Sequence, residues 1–428
     1  MTALGFKRGW CPSLRRAMES GDGWLVRVRP REAVITAAVA RAVAEASARY
    51  GNGRIEITNR ANLQIRGLRP ETIAPFVAAM EAVGAADEAE GLPACLVSPL
   101  AGADPDTAPE TLEILRTIQA AVARGLRYPV ARGLPCTVAR GLDPRAYPLR
   151  RPDGTEAPGR VDARHEAAHD DGNGFGAPLP GLPPKFGFLI DGGGVLPLAG
   201  LSLDITLRAA DGLWCLNDAA VPSGEAAARA LALAAELAAR PRQVRPRSAT
   251  PPRLGFHAYG DGTQGAVLLA PPFGQLHAPQ LAALADLATR HGDGALRPTP
   301  WKSLAIAGVA RTEAAALGRV AAGLGLIAEP SDPRLGIVTC AGAPACARGA
   351  ADTQAAAAAL AASRRADDPL LHLSGCAKGC AHPGPAAVTL VGTAGGFDLI
   401  RDGRPGDVPR ARGLTLAQSL ALMQSLPA

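Results

Sequence analysis

Four of the eight cysteines fall in two tight pairs, Cys340-Ala-Gly-Ala-Pro-Ala-Cys346 and Cys376-Ala-Lys-Gly-Cys380. Thiolates are soft ligands, and four of them converging on one point suit zinc or an iron–sulfur cluster. Structural zinc favours short knuckles at both ends, which a pair of unequal and partly longer spacings does not match. A cubane accepts uneven spacing, because each thiolate reaches only its own iron. The small residues between the cysteines let backbone N–H groups approach sulfur, which stabilises the reduced cluster. Four ordinary buried thiols are the plain alternative. The pairing predicts a [4Fe–4S] centre on Cys340, Cys346, Cys376 and Cys380.

At 428 residues the chain exceeds one ordinary hydrophobic core, so two or more domains are expected. Hydrophobic content of 47% with 4% aromatics describes a globular, Ala-rich chain. It has no apolar run long enough to span a bilayer, and its first residues carry no apolar signal region, which predicts neither membrane insertion nor standard secretion. Cys11, Cys95, Cys136 and Cys215 are scattered rather than paired; with an oxygen-sensitive cluster, a reducing cytoplasm is expected. A net charge of +6 favours acidic partners. No basic block is interleaved with aromatics, so a small polyanion fits that charge better than nucleic acid does.

These thiols must be positioned by regular elements. Residues 22 to 29 alternate apolar and charged as a half-buried strand does. A helix is predicted from Ala33 to Tyr50, stopped by Gly51-Asn52-Gly53, then strands Arg54 to Thr58 and Leu63 to Leu68, then a helix from Pro70 to about Val83. The order is that of a ferredoxin-like half-domain. It recurs: strand signals over Gly255 to Leu269, a helix from Ala278 to Arg290, a turn at Gly292, and a strand from Leu304 to Val309. The offset is constant, since 292 − 51 and 304 − 63 both equal 241. The chain is thus read as an α+β duplication. Its parts are a half-domain over 1–85, an α/β unit over 86–240, a second half-domain over 250–315 and a second α/β unit over 316–428. Only the last carries the cysteine pairs, and Arg60 in the first turn is replaced by Trp301 in the second.

Duplicated half-domains, the turn residues Thr58, Arg60 and Gln64, and the two cysteine pairs together resemble the sulfite/nitrite reductase superfamily over nearly the whole chain. That resemblance implies a [4Fe–4S] cluster on the four cysteines, with Cys380 also bridging to siroheme in members that hold it. It implies basic residues for tetrapyrrole carboxylates, at Arg60 and at Lys185 in Pro183-Pro184-Lys185-Phe186-Gly187. Two expected cations are missing: the family's second lysine is Gly187 here, and an arginine is Pro93. Six-electron reduction of sulfite or nitrite needs cations over the distal oxygens, so their loss argues against it.

One branch, the precorrin-3B synthases of aerobic cobalamin biosynthesis, matches better. Its members share Met18, Gly21, Asp22, Gly23, Leu25, Val26 and Arg27, the run Ser98 to Gly102, and the Lys185 to Gly194 segment. The likeness implies a monooxygenase that hydroxylates precorrin-3A at C20 with O2 and closes a γ-lactone. The tetrapyrrole is then a polycarboxylate substrate, and siroheme belongs only to the alternative, a sulfite or nitrite reductase. A mononuclear non-haem iron is implied without a ligand set. A non-catalytic electron carrier is the third reading; it would need neither Arg60 nor Lys185.

Arginine grips carboxylates in two-pronged fashion, so Arg60, with Lys185 and Arg66, forms the expected substrate contact set. Arg132 and Arg140 near Cys136 read as surface residues. His165-Glu166-Ala167-Ala168-His169 matches a zincin pattern, yet Asp- and Gly-rich flanks indicate a loop, not a protease helix; as iron ligands the pair is a weaker reading. His372 and His382 flank the second cysteine pair, as loop residues or as donors to cluster sulfur. Gly323 to Ala328 fits a nucleotide-loop pattern but follows a helix, so it reads as a helix end. With no nucleotide fold evident, electrons from NADH are expected through a separate donor protein.

Overall fold

The computed structural model describes residues 12–85, 93–123, 127–129, 175–178, 182, 186–238, 250–382 and 384–424. The first part contains, in order, β1 (Met18–Ser20), β2 (Gly23–Val28), β3 (Ile35–Thr36), α1 (Ala37–Tyr50), β4 (Arg54–Ile57), β5 (Leu63–Leu68) and α2 (Pro70–Ala82). Then come β6 (Ala94–Val97), α3 (Thr111–Ala123), β7 (Arg127–Pro129), β8 (Phe175–Pro178), β9 (Gly187–Asp191), β10 (Ile205–Ala210), β11 (Leu213–Leu216), β12 (Ala219–Val221) and α4 (Ser223–Ala238). The second part repeats the plan with β13 (Gly255–Tyr259), β14 (Gln264–Leu269), β15 (Gln275–His277), α5 (Ala278–His291), β16 (Ala295–Pro298), β17 (Leu304–Ala310) and α6 (Arg311–Gly323). It continues with β18 (Ile337–Thr339), α7 (Thr353–Ala361), β19 (Leu371–Ser374), β20 (Ala386–Thr393), β21 (Gly396–Gly403), β22 (Ala411–Leu414) and α8 (Leu416–Gln424).

The first helix starts later than its sequence suggests. Ala33 takes a positive φ of 68° in a turn, and Ile35–Thr36 become strand. Thr36 then caps α1 by accepting from the Val39 N–H at 3.3 Å, which fixes the helix start there.

The two half-domain sheets have the orders β1-β2-β5-β4-β15 and β13-β14-β17-β16-β3. Each therefore takes its last strand from the other half: Leu276 of β15 lies opposite Ile55, and Ile35 of β3 opposite Leu296. The 241-residue offset recurs in hydrogen bonds. Ala37 N–H donates to Gly294 O at 2.8 Å, and Ala278 N–H donates to Gly53 O at 2.9 Å. Bulges interrupt β2 between Trp24 and Val26 and β14 between Gly265 and Val267, again 241 apart. Alternation along the strands sends Val26, Ile55, Ile65, Val267 and Ile306 to one side. There they meet Val43 of α1 and Leu284 of α5 in a single core built from both halves.

The α/β units also correspond. One sheet has the order β12-β11-β10-β9-β6, the other β18-β19-β20-β21-β22. β6, β9 and β10 are mutually parallel, as are β18, β19 and β20. Parallel strands put all their carboxyl ends on one edge, where loops gather into sites. In the first unit that edge is locked shut. Ser98 Oγ accepts from Gly192 N–H at 2.8 Å and donates to Asp191 Oδ1 at 3.2 Å, while Asp104 accepts from Val195 N–H at 2.8 Å. Arg208 neutralises the buried Asp191 at 2.5 Å. The runs 98–102 and 191–194 are thus the two sides of one interlock. Among the described residues no helix is long and apolar enough to cross a membrane.

Candidate metal centre

In the second unit the same edge carries the thiols. β18 and β19 end at Thr339 and Ser374, so both cysteine loops leave from neighbouring strand ends. They cross through glycine. A Cβ on Gly375 would lie 3.2 Å from Gly349 Cα and 3.3 Å from Gly342 Cα, so a larger residue there would have to push the two loops apart. Ala350 N–H donates to Gly375 O at 2.8 Å, and Gly375 N–H donates to Cys340 Sγ at 3.2 Å. The Cys340 carbonyl accepts from Thr353 Oγ1 at 2.9 Å and Gln354 Nε2 at 2.7 Å, which fixes it to the start of α7. Cys346 closes its own loop, donating to Gly342 O at 2.6 Å and accepting from Gly349 N–H at 2.8 Å.

Cys340, Cys346 and Cys376 are half-buried and Cys380 is exposed. Even so, surrounding protein displaces enough water to push the Cys380 thiol up; Lys378 opposes this, and the other three thiols add to it. Cys380 therefore lies within electrostatic reach of the other three thiols. Among the described residues no three His, Cys, Asp or Glu side chains converge closely enough to share one metal ion. Four thiols near one another but not on one point, with an N–H aimed at the Cys340 sulfur, are an arrangement that separate irons of a cluster could use.

His372 of β19 is fully buried, and neither ring nitrogen has a hydrogen-bond partner among the described residues. It packs edge-on against His382, with centroids 5.6 Å apart, and His382 Nε2 meets Pro385 O at 3.1 Å. Burial, assisted by His382, pushes the His372 imidazole down to about 4.

The outer face of the first half-domain sheet turns towards the cysteine loops. Arg54 Nη1 donates to Ala341 O at 3.5 Å, and Ala347 N–H donates to Gly21 O at 2.7 Å. That face is polar: Arg27 Nε donates to Gln64 Oε1 at 3.0 Å, and Gln64 Nε2 to Glu56 Oε2 at 2.6 Å. Arg66, expected as a substrate contact, is engaged on this face. It grips Asp22 at 2.6 and 2.7 Å, Glu56 at 3.1 Å and Ser20 at 2.9 Å. Burial disfavours its charge, but Glu56 and Asp22 outweigh that and raise its affinity for the proton. The 241-residue counterparts of Arg27, Gln64 and Arg66 are Leu268, Ala305 and Ala307, which pack in an apolar cluster with Leu100 and Leu196 of the first α/β unit.

Arg60 is half-buried in the β4–β5 turn, with its N–H on Thr58 Oγ1 at 3.3 Å. Its neighbour Ala61 and Trp301 pack together against Leu96, Leu189, Leu198 and Leu203. The two equivalent turns thus meet over the first α/β unit. The Trp301 indole N–H is buried with no partner among the described residues. Lys185, Arg132, Arg140, Cys136, His165 and His169 lie outside the described residues. Gly187, where the superfamily has its second lysine, is closely packed: a Cβ would stand 2.9 Å from Leu203 Cδ1, which would have to shift, and 3.2 Å from Ala94 O. The contact of Gly21 with the cysteine loop was not readable from the sequence, where Gly21-Asp22-Gly23 signals only a turn.

A family model described as the nitrite/sulfite reductase ferredoxin-like half domain matches residues 16–83 and 257–320, with starts again 241 apart. The chain is similar to a precorrin-3B synthase of Sinorhizobium sp, at 32% identity over 96% of this chain and 86% of that protein. A ferredoxin–nitrite reductase of Leptolyngbya laminosa is 32% identical over 26% of this chain and 22% of its own length. Among solved structures, the Mycobacterium tuberculosis NirA protein superposes with a TM-score of 0.55 at 19% identity, over 88% of this chain and 74% of that one, a likeness of fold.

Proposed function

The chain belongs to the precorrin-3B synthase family, within the nitrite/sulfite reductase superfamily, and from that membership we propose that it is the C20 monooxygenase of aerobic cobalamin biosynthesis. It hydroxylates precorrin-3A at C20 and closes the ring-A acetate into the γ-lactone of precorrin-3B. One oxygen atom of O2 enters the macrocycle and the other leaves as water, which consumes a pair of electrons and a pair of protons. A separate donor protein using NADH delivers the electrons. Cys340, Cys346, Cys376 and Cys380 hold the [4Fe–4S] cluster, which supplies one-electron transfer when bound. The mononuclear non-haem iron of this reading has no ligand set of three or more among the described residues.

The observation that carries the reading is the interlock of the two thiol loops against a polar, covered face of the first half-domain. Arg60 and Lys185 grip substrate carboxylates, and the unpartnered Trp301 N–H donates to the same ligand while its ring covers the macrocycle edge. Arg66, expected in the same contact set, is held by Asp22 and Glu56. Glycine at 187 and proline at 93, where the superfamily has cations, support a monooxygenase over a sulfite or nitrite reductase.

The first test is the absorption spectrum of anaerobically purified protein, with iron, sulfide and extracted pigment quantified. A broad cluster shoulder, iron in excess of the cubane and no siroheme are expected. Stoichiometric siroheme would overturn the reading in favour of a reductase. Turnover of precorrin-3A under 18O2 should then add one labelled oxygen to the product.

A further inference from the structure

Two turns occupy equivalent places and differ in chemistry. Gly21-Asp22 joins β1 to β2 and docks on the cysteine loop; Gly260 to Thr263 joins β13 to β14 and docks on the loop after β6. In the second case Gly260 N–H donates to Asp106 Oδ2 at 3.1 Å, and Asp261 is satisfied within its own turn by Thr263 N–H at 2.9 Å. In the first, a Cβ on Gly21 would stand 2.4 Å from Cys346 Sγ, so the backbone itself forms a wall beside that thiol. Asp22, only 2% exposed, reaches away from the wall to Arg66, 11% exposed, which also holds Glu56.

A buried ion pair contributes little to stability compared with well-packed apolar side chains. The equivalent face has Ala305 and Ala307 in the positions of Gln64 and Arg66, and Arg297, paired with Asp293, in that of Glu56, so it docks without the three-residue network. The Asp22–Arg66–Glu56 network is therefore not needed to hold a half-domain to its α/β unit. We propose that Asp22, Arg66 and Glu56 are positioning residues for the metal centre: they pin the Gly21 turn against Cys346 and set the charge that the centre meets when it gains an electron. This rests on reading the four cysteines as cluster ligands. Two carboxylates and one guanidinium leave the trio with one formal negative charge. Such a charge, screened little when buried, opposes reduction.

The test is a redox titration of the full-length, anaerobically purified protein, followed by EPR, with iron and sulfide counted for each variant. Asp22→Asn removes a negative charge and should raise the midpoint potential; Arg66→Gln removes the positive one and should lower it. Arg66→Lys should return the potential towards wild type. Gly21→Ala should lower cluster occupancy and alter the EPR line shape. Asp261→Asn, in the equivalent turn, should leave the potential unchanged. If Arg66→Gln does not fold, the Asp22→Asn and Asp261→Asn pair still decides. With iron and sulfide present at cubane level, no shift in Asp22→Asn, shifts of the same sign in Asp22→Asn and Arg66→Gln, or an equal shift in Asp261→Asn overturns the proposal. A wild-type protein lacking sulfide would instead remove the cluster reading, and the proposal with it.

Discussion

Arg60 and Arg66 lie six positions apart on the same strand–turn–strand, and their surroundings separate them. The sequence marks both as cations near a ligand, but it cannot show that β1 and β4 bring Asp22 and Glu56 to one of them. Loss of a charge-assisted bond of about 1.5–3 kcal/mol corresponds to about ten- to hundredfold in binding. Arg60→Ala should lower kcat/KM for the tetrapyrrole by that factor with an unchanged melting temperature, and Arg60→Lys should recover part of it. Steady-state kinetics beside a thermal melt checks both. Cys376→Ser should strip the cluster absorption and lower iron and sulfide together, whereas Cys215→Ser should not. His372 supplies a pH dependence. Its folded value of about 4 lies below the ordinary 6.5, so the folded state binds fewer protons than the unfolded chain. Its contribution is fully present above pH 6.5 and is lost as pH falls towards 4, about 3 kcal/mol in all. His372→Gln should flatten that part of the denaturation midpoint against pH; equal slopes in the two proteins would contradict the assignment.

At the scale of elements, periodicity carries most of the information. Leu63 to Leu68 has the same bounds in sequence and structure because the apolar–polar alternation of Leu63-Gln64-Ile65-Arg66, a preceding turn and the following Pro70 all agree. The strand exchange is invisible by comparison. β3 and β15 hold two and three residues, too short for a period of two to register, and their pairing is decided by the opposite half. The start of α1 differs from its sequence pattern for the same reason, since Ile35 and Thr36 belong to that borrowed edge. Leu276 is fully buried opposite Ile55. Leu276→Ala should therefore cost about 2–5 kcal/mol, as large-to-small changes in a shared core do, read as a lower urea midpoint of the whole protein rather than of its second half. The interlock of Ser98, Asp191 and Asp104 joins two motifs far apart in the chain, a contact that spacing alone does not reveal.

For the whole molecule, the four boundaries drawn on the sequence describe a repeat, while the core disregards them: Val43, Ile55, Leu284 and Ile306 belong to one cluster. Expressed alone, residues 1–240 or 250–428 would leave β4 or β16 without its outer neighbour and half of that core exposed to water. Neither piece should give a cooperative calorimetric transition, whereas co-expression should restore one. The exchange of β3 and β15 has a consequence for how such a chain can diverge. If two identical copies paired this way, every substitution would strike both interfaces at once, and a charge suited to one would burden the other. Covalent fusion removes that constraint. Each mutation is felt once, so one interface can be welded with alanine and leucine while its twin holds arginine, carboxylates and four thiols. The duplication thus separates the part that keeps the protein together from the part that is free to do chemistry.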